Sequence, residues 1–140
     1  MLVRLAEPVD ITAVMGFDAL PGERIGEIMD RRMLVLERDG RIDAYTSWSS
    51  GGIFGRYHIN KLVVRPEARG QGIARALVGS LGVALSGRVF ISTPSDDVAA
   101  LALLRSTGWT PAGELTGMGA GHDVEAFFYR DLDTGERPAG

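Results

Sequence analysis

Hydrophobic positions along this chain follow two spacings, one typical of strands and one typical of helices. Short runs rich in β-branched and aromatic residues predict about seven strands, at residues 2–5, 33–38, 41–48, 57–64, 88–92, 112–115 and 124–129. Apolar residues three or four positions apart predict four helices, at about 10–15, 23–29, 73–81 and 97–107. This succession of elements indicates an α/β (α+β) domain.

Turn residues separate the predicted elements. Asp39-Gly40 is a dipeptide typical of a two-residue primed turn, so the strands on either side of it are expected to form a hairpin. Gly51-Gly52 is predicted to reverse the chain again and to lead it into the strand at 57–64. The polar residues 94–97 are predicted to cap the last helix.

Length and composition narrow the class of protein. The 140 residues fit one domain, which we assign to residues 1–132, followed by a polar tail at 133–140. With no cysteine and two histidines, neither a disulfide nor the usual kind of zinc site is expected. A net charge of -3 gives no electrostatic basis for binding nucleic acid. No apolar run is long enough for a signal peptide or a membrane span, so we expect a cytoplasmic protein with no membrane partner.

The most informative stretch is the strand at 57–64 with the turn and helix that follow it. Pro66 ends the strand, and the turn contains Gly70 and Gly72, which let a ligand approach the backbone without meeting a Cβ atom. The first N–H groups of a helix have no partner inside it and lie at the positive end of its dipole. With Arg69 and Arg75 on either side, this turn is predicted to bind an anion, and a pyrophosphate in particular.

Two common phosphate-binding motifs do not fit this turn. A P-loop would end in Gly-Lys-Ser/Thr, but the lysine of this chain is Lys61, upstream in the strand. A dinucleotide fingerprint would need a third glycine, where this chain has Arg75. The stretch resembles motif A of the GNAT superfamily of N-acetyltransferases, Arg/Gln-x-x-Gly-x-Gly/Ala, through Arg69, Gly72 and Ala74. The preceding Leu-x-Val-x-Pro pattern is also present, at residues 62–66.

The resemblance covers nearly the whole chain, and it implies a fold and a co-substrate. The fold is the GNAT acyl-CoA N-acyltransferase fold, a mixed central sheet of about seven strands with four helices. The co-substrate is acetyl-CoA, whose pantetheine arm lies between two diverging strands in this family. The resemblance implies these cofactor-binding residues: Leu62, Val63, Val64, Arg69, Gly70, Gln71, Gly72, Ile73, Ala74, Arg75 and Asp97.

A second similarity to the family lies in the last helix. The family pattern Asn-x-x-Ala-x-x-Leu-Tyr-x-x-x-Gly-Phe is matched by Ala100, Leu103 and the pair Gly108-Trp109. Asp97 replaces the asparagine that often bonds the pantetheine arm, and it equally suits an acidic residue in the first turn of a helix. Leu104 replaces the tyrosine that protonates the leaving thiolate in many relatives, so this role cannot be carried over.

The candidates for proton transfer are few. Regular alternation along the strand would put His58, Asn60, Leu62 and Val64 on one face. His58 lies where some relatives carry a glutamate base, and imidazole titrates near neutral pH, although a structural histidine fits equally well. Asn60 is the candidate for orienting a water or the acceptor, and Tyr129 is a candidate donor. His122 is interpreted as a loop residue.

Two functions remain open at this stage. The first is an acetyl-CoA-dependent N-acetyltransferase, acting by direct attack of an amine of a small molecule or peptide in a ternary complex. The second is a non-catalytic acyl-CoA-binding sensor or partner module, left open by Leu104 and by the lack of a glutamate base. We favour the enzyme, and a homodimer stays open.

Overall fold

The computed structural model describes residues 1–119, 121 and 123–132. The predicted tail at 133–140 and His122 lie outside the described residues. The strands are β1 (Leu2–Leu5), β2 (Met33–Arg38), β3 (Arg41–Ile53), β4 (Arg56–Val64), β5 (Gly87–Pro94), β6 (Thr110–Thr116) and β7 (Val124–Leu132). The helices are α1 (Ile11–Met15), α2 (Ile25–Met29), α3 (Ile73–Gly79) and α4 (Val98–Ser106).

The strands form one seven-stranded sheet in the order β1-β2-β3-β4-β5-β7-β6. Only the β4–β5 pair is parallel, because the chain crosses over through α3 between these strands. The predicted mixed sheet with four helices is confirmed.

Helices cover both faces of the sheet, and β2 shows how its sequence serves both. Leu34 and Leu36 belong to the core beneath α3 and α4, whereas Met33 and Val35 belong to a second core beneath α1 and α2. All four side chains are fully buried. A strand buried on both faces needs a continuous apolar run, and this explains the sequence of β2.

One of the two predicted reversals is correct. Asp39 and Gly40 both have positive φ angles, as a primed hairpin turn requires. Gly51-Gly52 does not reverse the chain, because β3 runs on to Ile53 and the turn is made by Phe54 and Gly55, which both have positive φ. The glycine pair lies instead where the β3–β4 register shifts. Glycine is common both in turns and at irregular points of a strand, so sequence alone did not separate these two structures.

A bulge in β4 overturns the predicted alternation. Ser47 pairs with Lys61 and the next residue of β3 pairs with Ile59, so Asn60 is an extra residue without a partner. Beyond it the faces are exchanged: Leu62 and Val64 pack against the same core as Ile59, on the face opposite His58. The expectation that His58, Asn60, Leu62 and Val64 share a face is therefore wrong.

The same point in β4 is where its pairing with β5 ends. The parallel register joins Tyr57 to Val89 and ends with Ile59 and Ile91. Beyond these residues β5 continues in its antiparallel pairing with β7 as far as Pro94. The segment from Leu62 to Val64 therefore faces an opening between the two strands.

A second bulge, in β3, buries a charge beside this segment. Leu36 pairs with Ala44 and Glu37 with Ile42, which leaves Asp43 as the extra residue. Its side chain is fully buried and accepts hydrogen bonds from Arg38 Nε at 2.9 Å and Arg41 Nε at 2.7 Å. The Asp43 carbonyl also accepts from the Arg65 N–H at 2.7 Å, which ties the end of β4 to β3.

We expect Asp43→Asn to lower the free energy of unfolding by about 2 kcal/mol, because Arg38, Arg41 and Arg65 lose a buried anionic partner while all three remain partly solvated. Urea denaturation followed by circular dichroism measures this change. Asp131→Asn is the matched control, since it removes an arginine–aspartate pair in which both side chains are solvent-exposed. The unfolding midpoint of Asp131→Asn should not change measurably. Equal losses of unfolding free energy in the two variants would contradict the stabilising role of the buried Asp43 carboxylate.

Candidate functional site

The end of β4, where pairing with β5 has stopped, lines a cavity of about 600 Å³. Three segments line it: the end of β4, the turn that leads into α3, and the first half of α4. All of the predicted cofactor-binding residues line this cavity except Gln71, whose side chain turns back to donate to the Glu67 carbonyl at 3.3 Å. Ala19 and Leu20, from the segment between α1 and α2, complete the wall.

The turn before α3 presents main-chain N–H groups to this cavity. Gly70 and Gly72 have φ angles of 75° and 77°, which side-chain-bearing residues rarely adopt. An added Cβ at either glycine would meet nothing within 4 Å, so the space above the turn is open. Among the described residues, the N–H groups of Gly70 and Gly72 have no hydrogen-bond acceptor.

The charges at this turn suit a phosphorylated ligand. Arg69 and Arg75 line the cavity, and Arg75 donates to Oγ of Ser106, the last residue of α4, at 2.8 Å. Unpaired N–H groups and guanidinium groups are both donors, and together they match the oxygens of a pyrophosphate. The residues present therefore fit the diphosphate of a coenzyme A derivative.

The wall that α4 contributes is apolar, except for Asp97 directly before the helix. Asp97 Oδ1 accepts from the Ala100 N–H at 3.0 Å, so it caps the helix as well as lining the cavity. Ala100 and Leu103 face the cavity, whereas Leu104 is buried in the core. The position at which many relatives have a tyrosine is thus a packing position in this chain.

His58 lines a second cavity, of about 440 Å³, on the other side of the bulge. The side chains around it are largely apolar, including Phe90, Leu115, Met118 and Phe127. Strand β4 contributes to both cavities, because His58 lies before the bulge and Leu62 after it. Asn60 and Lys61 lie between the two cavities.

The surroundings of His58 keep its imidazole neutral. Its Nε2 lies 2.7 Å from Ser92 Oγ, and its ring packs on Phe127 with 5.4 Å between centroids. Burial lowers the pKa of His58, and the positive charge of Lys61 lowers this pKa further. A neutral imidazole near pH 7 can accept a proton, as a general base must.

The other two predicted catalytic residues lie in different surroundings. Asn60 is exposed at the bulge, and its Oδ1 accepts from Lys61 Nζ at 3.3 Å. Tyr129 packs on Phe90 with 6.0 Å between ring centroids, and the Arg88 guanidinium lies over its ring at 4.2 Å. Tyr129 lines neither of the two cavities, so its role as a proton donor remains a prediction from sequence.

A buried charge network beneath these cavities was not anticipated from the sequence. Asp18 and Arg24 form a buried ion pair at 3.0 Å, and the Tyr45 hydroxyl donates to Asp18 at 2.8 Å. Glu27 accepts from Ser47 Oγ at 2.7 Å and pairs with Arg24 at 3.2 Å. Burial and the Asp18 carboxylate raise the pKa of Tyr45. The charged residues that form it are scattered between residues 18 and 27, and no spacing in the sequence indicated that they would pair.

Comparison with known proteins identifies the family to which this fold and site belong. A family model described as an acetyltransferase (GNAT) domain matches residues 29–111, which span β2 to the start of β6. The chain belongs to the GNAT acetyltransferase family. The co-substrate of this family is acetyl-CoA.

Solved structures show the same GNAT fold. An acetyltransferase of the GNAT family from Bacillus cereus aligns with a TM-score of 0.83 at 19% identity, covering 94% of this chain and 96% of that one. The putative acetyltransferase yncA from Salmonella typhimurium, solved with its cofactor acetyl-CoA, aligns with a TM-score of 0.77 at 20% identity, covering 100% and 97%. The ribosomal-protein-alanine N-acetyltransferase from Brucella melitensis aligns with a TM-score of 0.72 at 22% identity, covering 94% and 100%.

No curated protein sequence matches the chain. In the described part of the chain, no helix has the length and apolar character needed to cross a membrane.

We expect the pKa of His58 to lie below 6.5 and to rise in Lys61→Gln, because removing a nearby positive charge favours the protonated imidazole. Proton NMR titration of the ring resonances measures both values, with His58→Gln used to assign the signal. Arg88→Gln is the control, since its charge does not contribute to the shift of His58. A pKa of 6.5 or above in the native chain would contradict this description of the site.

Proposed function

We propose that this chain is an N-acetyltransferase that binds acetyl-CoA in the cavity beside α3 and transfers the acetyl group to an amine by direct attack in a ternary complex. The observation that carries the proposal is the end of β4–β5 pairing at Ile59 and Ile91, together with the unpaired N–H groups of Gly70 and Gly72 in the cavity that the end of β4 also lines. A strand edge left without a partner and an anion-binding turn together suit a ligand that has an amide-bearing arm and a diphosphate.

In this proposal main chain binds the co-substrate. The backbone from Leu62 to Val64 pairs with the pantetheine arm as a neighbouring strand would, since its groups on that side have no strand partner. The turn at 70–75 binds the diphosphate with its N–H groups, supported by Arg69 and Arg75. Acetyl-CoA itself supplies an activated thioester when bound.

Catalysis then depends on removing a proton from the attacking amine. His58 accepts this proton directly or through a water, and the contact with Ser92 Oγ fixes the orientation of its ring. Asn60, exposed at the bulge, orients the water or the acceptor. The leaving thiolate needs little assistance because a thiol is much more acidic than an alcohol, so a buried Leu104 is compatible with turnover.

The acceptor in this proposal is an amine of a small molecule or of a peptide. The cavity that contains His58 opens next to the bulge and has mostly apolar walls, so it suits the non-reacting part of such an amine. A non-catalytic acyl-CoA-binding module would have the same first cavity but would not release CoA. Free-thiol detection with a panel of amines separates the two functions.

We expect Gly72→Ala to weaken acetyl-CoA binding about tenfold or more, because alanine disfavours a φ of 77° by about 1–2 kcal/mol and its methyl group points into the open space above the turn. Isothermal titration calorimetry measures the dissociation constant. Gly79→Ala, at the other end of α3, is the matched control, since Gly79 has no positive φ and lines neither of the two cavities. The same affinity in both variants would exclude the turn as the diphosphate site.

We expect His58→Gln to lower kcat about 10²–10⁴-fold, the usual contribution of a general base, while acetyl-CoA affinity stays unchanged. In the native enzyme, activity should fall as the pH drops through the lowered pKa of His58, so the acidic limb of kcat/KM lies below pH 6.5. Stopped assays of CoA release across pH test both points. His122→Gln controls for the loss of an imidazole as such. An unaltered pH profile in His58→Gln would exclude His58 as the base.

A further inference from the structure

Lys61, in the middle strand β4, is the only lysine in the chain. It follows the bulged Asn60 and precedes the segment from Leu62 to Val64 that lines the first cavity. The other primary amine, at the N-terminus of Met1, precedes β1, which is separated from β4 by two strands. The sole lysine therefore occupies the position in β4 where the sheet opens.

The contacts of the Lys61 amine are loose. Its Nζ lies 3.7 Å from Glu27 Oε1, which is beyond hydrogen-bond distance, and 3.3 Å from Asn60 Oδ1. Glu27 already pairs with Arg24 at 3.2 Å and accepts from Ser47 at 2.7 Å. Lysine has a flexible four-carbon stem, and nothing in these contacts holds the amine firmly at Glu27. Rotation about this stem would carry the amine away from Glu27 and toward the opening between the strands.

We propose that Lys61 is a self-acetylation site, which takes the acetyl group from acetyl-CoA bound in the first cavity when no acceptor amine is present. This inference rests on the proposed function, because it needs the thioester to lie at the opening between β4 and β5. It adds that the chain modifies its own residue beside that opening. Neither the fold nor the binding turn requires a lysine at this position.

The step is an ordinary aminolysis and balances without a further reactant. The Lys61 ammonium first loses a proton, for which the carboxylate of Glu27 at 3.7 Å is the nearest anionic acceptor. The nitrogen lone pair then attacks the thioester carbonyl, so a C–N bond forms and the C–S bond breaks. CoA leaves as a thiolate and takes up a proton. The products are acetyl-lysine, CoA and one proton released to solvent.

The modification would change the site in a defined way. An acetylated Lys61 carries no charge, so it can no longer pair with Glu27, and its amide is bulkier than the amine. Held beside the opening, it takes up space at the point between the two cavities where Asn60 and Lys61 lie. Self-acetylation would therefore compete with transfer to an external amine, and a saturating acceptor should suppress it.

The test incubates the native protein with acetyl-CoA and no acceptor, followed by intact mass measurement and peptide mapping. One acetyl group should appear on Lys61, and Lys61→Arg should lose it while keeping the positive charge. Acetylation should slow about tenfold or more in Gly72→Ala, in line with its weakened binding. Excess free CoA should slow acetylation of the native chain by competition, a result that needs no variant.

Calorimetry on the native protein separates the two proposals. If acetyl-CoA does not bind, the proposed function fails and the inference fails with it. If acetyl-CoA binds but Lys61 stays unmodified, or only Met1 is acetylated, the inference alone is overturned. If the urea-unfolded chain or Gly72→Ala is acetylated as fast as the native protein, the reaction is direct chemical acetylation from solution, which also overturns the inference.

Discussion

One extra residue in β4 determines the architecture of the site. A strand with an inserted residue bends and twists more strongly, and at Asn60 this coincides with the end of pairing between β4 and β5. The adjoining strand β5 stays paired with β7, so only its pairing with β4 is interrupted. The result is a gap between β4 and β5 in a sheet that is otherwise continuous. The exchange of faces at the bulge also places His58 and Leu62 toward different cavities.

Buried charges support this gap from the neighbouring elements. Asp43, itself an extra residue in β3, ties the end of β4 to β3 through Arg65, just before the turn. On the other face, the hydroxyl of Tyr45 in β3 donates to Asp18, which also pairs with Arg24, and this contact ties the segment between α1 and α2 to the sheet. Removing one partner from such pairs is costly because the other charge stays buried. Burying these charged groups costs desolvation free energy, and the contacts that they make fix the positions of the segments around the cavity.

In the proposed function, binding and catalysis depend on different parts of the chain. The co-substrate is bound mainly by main-chain groups of the first cavity, and Leu104, buried in the core, takes no part in that binding. Proton transfer is assigned to very few side chains, among which His58 has a pKa lowered by burial and by the charge of Lys61. Lys61, whose charge lowers the pKa of His58, is also the residue that we propose to be acetylated. Co-substrate binding in this proposal therefore rests on the main chain of β4 and the glycine turn, while proton transfer rests on side chains.

The sequence by itself determined what depends on neighbouring residues: the order of strands and helices, the Asp39-Gly40 hairpin, the Asp97 cap and the glycines of the binding turn. These follow from local spacing and backbone preference. Only the tertiary structure decided what depends on strand irregularities and on contacts between distant segments. The bulge at Asn60 exchanged the expected faces, Gly51-Gly52 continued a strand instead of turning it, and Asp18, Arg24 and Glu27 met in one network. An extra residue moves every following side chain to the other face, and distant side chains meet only when the elements pack, so the spacing of neighbouring residues encodes neither.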